Sequence, residues 1–238
     1  MGRTIGGALI VIGLGLWYYG GVSGVTPLVN LGIGSIILGL VLATLPLRGQ
    51  VDRDSIPMVC ASASEFLSNL KNDLELRGSP IVIPPFENLP RGGIFLPKSE
   101  EVSISLGKLD EKTVFVTGPE QESGVLITPP LGWDILDYAF ENIGDLRGSG
   151  IGYASSAISS VLSGMGLGSA EVFEGEGKVE VFVSSPCGGS VCGDPVVSAV
   201  LLSVAIGSGE LFRVLSTERK GEYIKVVLEP LGRVERWL

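Results

Sequence analysis

From Thr4 to Leu47 the chain carries no Asp, Glu, Lys or Arg. So long an uncharged, oily stretch needs cover from water. In a bilayer only backbone that satisfies its own hydrogen bonds is tolerated, which points to helices. A spanning helix takes roughly 20 apolar residues. Two helices are therefore expected, over about 5–22 and 27–45, joined through Gly20, Gly21, Ser23 and Gly24. Pro27 suits a first helical turn, where its missing N–H costs nothing, and Pro46 is a natural stop. Trp17, Tyr18 and Tyr19 close the first helix with rings suited to a headgroup region. The small-residue tract after them loosely fits a cleaved signal peptide, but no A-x-A site is present and a second apolar run follows closely.

This reading divides the chain into a two-helix transmembrane hairpin over residues 1–50 and a soluble α+β domain over residues 51–238, within which a subdivision near 130 is weighed. The lipid bilayer is the first partner implied. Arg3 precedes the first helix, Arg48 and Arg53 follow the second, and the connection is uncharged. Positive residues stay inside, so a cell-membrane, multi-pass protein with a cytoplasmic soluble domain is expected. Small residues recur at Gly6, Gly13 and Gly20, and again at Gly32, Ser35, Gly39 and Ala43. They let helices approach closely, either within the hairpin, the plainer reading, or in a homo-oligomer.

Residues 51–238 hold all 26 acidic residues and 15 of the 17 basic ones, a net charge of −11. That argues against nucleic acid, which needs a basic surface. The chain has no histidine, which removes Ser-His-Asp and Cys-His catalysis and histidine-based metal sites. Gln occurs only at Gln50 and Gln121, and low Gln beside abundant Glu is a thermophile-like composition.

Within the soluble part, residues 51–58 read as a linker. Ser62 and Glu65 match a capping box, and Phe66, Leu67, Leu70 and Leu74 follow at helical spacing, so a helix is expected from about Ala63 to Arg77. Short apolar runs at Ile81–Ile83, Ile94–Leu96, Val102–Leu106, Val114–Thr117 and Val125–Thr128 predict strands of a mainly antiparallel sheet. Helices are expected over Leu131–Asn142 and Ile151–Leu162, the second burying Tyr153, Ile158, Val161 and Leu162. Ala170–Glu174 and Lys178–Ser184 predict a hairpin, as do Leu211–Thr217 and Tyr223–Leu231. Between the hairpins, Asp194 caps a helix opened by Pro195. Val196–Ile206 is apolar nearly all round, so that helix should be central.

Cys187 and Cys192 bracket a glycine-rich loop ahead of this helix, and a thiolate near a helix N-terminus is activated. The pair reads as a local disulfide, as buried thiols, or as a redox couple. Cys60 is distant in sequence, and three cysteines are too few for an all-cysteine cluster. Gly148–Gly152 opens a helix and is weighed as an anion cradle; Gly164–Gly168 follows a helix and reads as a turn. Asp134 and Asp137 read as a solvated helix face. No catalytic residue, metal site or cofactor is implied.

Two resemblances stand on these residues. The layout, with Gly124-Val125-Leu126-Ile127-Thr128-Pro129-Pro130-Leu131-Gly132 ahead of a helix, resembles a family of uncharacterised archaeal membrane-anchored proteins. Residues 133–231 place a helix, then Gly164-Met165-Gly166-Leu167-Gly168-Ser169-Ala170-Glu171-Val172, a hairpin, Cys187, a buried helix and a last hairpin. This order is similar to the 4-vinyl reductase-type small-molecule-binding domain, although histidine and the cysteine usual in the last strand are missing. That resemblance implies an apolar pocket beside the central helix. Three functions are carried forward: non-enzymatic binding of a small apolar ligand or a protein partner, thiol-dependent redox chemistry at Cys187 and Cys192, and a structural or assembly role.

Overall fold

Small residues let helix backbones approach closely, and the first two helices pair through theirs. The computed structural model describes residues 2–44, 56–187, 191–221 and 223–238. It separates into two units, Met1–Asp52 and Arg53–Leu238. In the first, α1 (Gly2–Ser23) turns at Gly24 and packs along α2 (Thr26–Thr44). The two run antiparallel with their backbones in contact. A Cβ added to Gly6 would lie 2.8 Å from the Gly39 carbonyl oxygen, and one on Gly13 would lie 2.8 Å from that of Gly32. The reciprocal glycines leave equally little room, down to 2.5 Å between a Cβ on Gly32 and the Trp17 nitrogen. Large apolar side chains, among them Val11, Tyr18, Leu31 and Ile37, face outward. By length and composition α1 can cross a membrane; the apolar stretch of α2, Thr26–Val41, is shorter. Residues 45–55 lie outside the described residues, and with them Pro46, Arg48, Arg53 and most of the expected linker.

The second unit is α+β, as its pattern of short runs and helices predicts. Its helix α3 (Ile56–Asp73) begins well before the expected Ala63. Pro57 occupies the first turn, where proline is tolerated, and Ile56, Met58, Cys60 and Ala61 extend the helix backward. Ser62 and Glu65 therefore lie inside the helix, not at its cap.

Eight strands form one antiparallel sheet: β1 (Ile81–Ile83), β2 (Gly93–Pro97), β3 (Phe115–Val116), β4 (Gly124–Ile127), β5 (Ser169–Gly175), β6 (Lys178–Ser184), β7 (Glu210–Lys220) and β8 (Tyr223–Arg233). Their spatial order is β3-β4-β2-β1-β7-β8-β6-β5. Pairing of β1 with β7, Ile81 opposite Arg213 and Val82 opposite Phe212, joins the early strands to the late ones. The subdivision weighed near 130 is thereby corrected, because one hydrogen-bonded sheet runs across it. The strand expected at Val102–Leu106 is also absent. That segment is a loop ending in a 3-10 turn at Leu106–Lys108. Ile104 and Leu106 are nevertheless buried, packed with Ile81, Ile83 and Phe95 on the sheet face away from the helices. Their apolar character serves loop burial, not strand pairing.

On the other face, Val82, Ile94, Leu96, Val181, Val183 and Val226 join the core shared with the helices. There α4 (Trp133–Asn142) and α5 (Ile151–Met165) pack against α6 (Pro195–Ser208). Every residue from Val196 to Gly207 is buried, as a uniformly apolar helix requires. Oδ1 of Asp194 accepts from the N–H groups of Val196 at 2.9 Å and Val197 at 3.2 Å. Tyr153 does not join the buried side of α5; it is exposed. Gly207 of α6 presses against Ala154, so Ala154 faces the core, with Ile158, Val161 and Leu162, and Tyr153 is turned outward.

Removing the α6 cap by Asp194→Ala should lower stability by about 1–2 kcal/mol. Urea unfolding of the full chain in detergent, followed by tryptophan fluorescence, measures it; an unchanged midpoint would contradict the capping role.

Candidate functional site

The residues that stand out in the sequence meet different fates once side chains are placed in space. Among the cysteines, Cys187 is bonded to Cys60, with Cα atoms 5.5 Å apart and 127 residues between them in sequence. The reading of Cys187 and Cys192 as a local disulfide or redox couple is corrected accordingly. The cause is the backward extension of α3, which carries Cys60 to the Cys187 loop. Cys192 remains a free thiol, buried. Burial pushes its pKa up to about 12, while the Lys71 ammonium pulls the other way. A thiol held neutral in this way is a poor nucleophile.

The glycine loops are spent on packing. Gly148 N–H donates to the Ile206 carbonyl at 3.0 Å, and Gly150 N–H to that of Gly207 at 2.9 Å. The tract weighed as an anion cradle therefore satisfies carbonyls at the C-terminal end of α6. Gly166 ends α5 in the left-handed region, and Gly168 passes so close to the Ser184 carbonyl that a side chain has no room. In the first unit, Gly6, Gly13, Gly32 and Gly39 all lie in the contact between α1 and α2. Among the described residues, no group of acidic residues or cysteines is gathered as a metal site would require.

One cavity in the second unit has the makings of a binding site, and no motif in the sequence marks it. It is a partly open hollow of about 340 Å³ between α3, the sheet and the segment leading into α6. Leu96 of β2, Val214 of β7, Val191 and Cys192 form its floor, all buried. Leu67 and Pro80 line its sides. Ser68 and Lys71 from α3 and Thr217 from β7 stand at an exposed rim. α3 forms one wall of the hollow through Leu67, Ser68 and Lys71. It is pinned by the Cys60–Cys187 bond, by Ser64 Oγ donating to the Gly193 carbonyl at 3.1 Å, and by Leu67, Leu70 and Leu74 against the core. The volume sits at the low end of the range for small-molecule sites, about 300–1,000 Å³, and the apolar floor with few polar groups fits that class.

Comparison of the chain with protein-family models, with curated proteins and with solved structures finds no match. The site's meaning rests on its own chemistry.

Thiol counting tests this arrangement. Protein purified without reductant should show no reactive thiol when native, one after denaturation, and three after denaturation with reductant. Native alkylation of Cys192 should stay slow through pH 9, where an ordinary thiol ionises, and accelerate only as pH approaches 12. Three free thiols in the denatured, unreduced chain, or a disulfide-linked peptide pair that includes Cys192, would refute the Cys60–Cys187 pairing.

Proposed function

We propose that this chain is a non-enzymatic, membrane-anchored domain that holds a small apolar molecule in the hollow beneath α3. The observation that carries the proposal is the hollow itself: an apolar floor, an open side and a polar rim, with one wall pinned by a disulfide. The titratable groups lining it are Lys71 and Cys192, and the latter stays protonated near neutral pH. That favours holding a ligand over transforming one. The likeness to the 4-vinyl reductase-type domain, which rests on the order of elements in residues 133–231, implies an apolar pocket beside α6; the hollow proposed here is lined instead by α3, β2, β7 and the segment before α6.

The anchor in this proposal is a transmembrane hairpin made of α1 and α2. Its support is the uncharged run, the length of α1, and the outward-facing Val11, Tyr18, Leu31 and Ile37, which form apolar surface that water does not carry well. Seven-residue glycine spacing brings the two helices together, which favours use of these glycines within the pair over use in an assembly. Arg3, Arg48 and Arg53 favour a cytoplasmic side for the second unit. A disulfide is unusual there, but intracellular proteins of hyperthermophiles carry them, and the Gln-poor, Glu-rich composition belongs with that setting.

Two measurements test the proposal. After alkaline carbonate washing, the full-length protein should stay with the membrane pellet; recovery in the supernatant would remove the anchor. In nanodiscs, saturating amphiphile should raise the melting temperature of the second unit by about 5–10 °C, since a ligand present at 100 times its Kd stabilises by about 2.7 kcal/mol. Filling the floor with Val214→Trp should abolish that shift. A shift that survives the filled cavity would place binding elsewhere.

A further inference from the structure

Resting on the reading above, we infer that the ligand of the hollow is a single-chain amphiphile with a monoanionic carboxylate head, its tail on the floor and its head at Lys71. The inference deepens that reading by assigning chemistry to each end of the site.

The floor and the rim differ in kind. Leu96, Val191 and Val214 are buried and offer only apolar contact. Lys71, Ser68 and Thr217 are exposed at the mouth, and among the described residues Lys71 is the one charged residue lining the cavity. Among the described residues Lys71 forms no salt bridge, although five ion pairs are present elsewhere. Lys71 and Cys192 line the same hollow, and the Lys71 charge acts against the rise that burial gives the Cys192 thiol. An apolar floor below a polar rim orients an amphiphile tail-inward. A cation at the rim, with two hydroxyls beside it, selects an acceptor-rich anionic head.

Charge and size narrow the class. The unit carrying this site is strongly acidic, so an anion is repelled from most of its surface and finds a local exception at Lys71. One cation balances one negative charge, whereas a phosphate monoester brings about −1.5 to −2 at neutral pH. A carboxylate is the better match. A hollow of about 340 Å³ holds roughly the volume of eleven water molecules, which suits one medium-length chain and not a two-chain lipid.

The test uses the full chain in lipid nanodiscs and a dodecanoate bearing a diazirine on its tail, with cross-links mapped by mass spectrometry. Labelling should concentrate on peptides containing Leu67–Lys71 and Val191–Cys192. Unlabelled dodecanoate should compete about two- to fivefold better than dodecanol or dodecyl phosphate, as an exposed ion pair allows. Lys71→Met should erase the advantage over dodecanol and Lys71→Arg should keep it; Lys71 is exposed, so neither change disturbs the core. Labelling of these peptides with equal competition by acid and alcohol, or better competition by the phosphate, would overturn the carboxylate assignment and leave the hollow as a binding site. Labelling absent from these peptides would overturn both.

Discussion

The second unit depends on burying α6. Twelve consecutive residues, Val196 to Gly207, are out of contact with solvent, so this helix has no polar face through which to meet water. Its backbone satisfies itself except at the ends, where orphan groups must find partners. Asp194 supplies acceptors at one end, and Gly148 and Gly150 supply donors at the other. Those glycines must come close, which draws the start of α5 onto α6. The sheet then closes the remaining side with a continuous apolar face. Position after position follows from the need to cover one helix completely.

Much of this is legible in the residues alone. A proline after an aspartate, ahead of an unbroken apolar run, marks α6 and its cap. Period-two alternation in Lys178–Ser184 and the glycine turn before it locate β5 and β6. The features that escape such reading have a common physical origin, because they concern partners far apart along the chain. Ile104 and Leu106 look like strand residues, and burial of their side chains needs no ladder. Tyr153 looks inward until Gly207 claims the neighbouring face for Ala154. The spatial order of the sheet, with β1 beside β7, leaves no local trace, since β1 is only three residues long.

The site is the least legible part. Leu67 and Leu70 of α3, with Leu74 just past its end, make an apolar stripe, but a stripe does not say whether it meets its neighbour flush or across a gap. Cys60 stands far from the other cysteines in sequence, and its partnership with Cys187 depends on the helix starting at Ile56. Lys71 carries no signal at all; one lysine on a helix in an acidic chain is ordinary. What singles it out is its place at a rim above buried Val191, Cys192 and Val214.

The bond between Cys60 and Cys187 closes a ring of chain that contains β1 to β6 together with α4 and α5. A single backbone scission anywhere inside that ring leaves both pieces covalently joined. Exposed tips such as Gly175–Gly177 could be nicked without the molecule coming apart, much as a belt holds a cut garment in place.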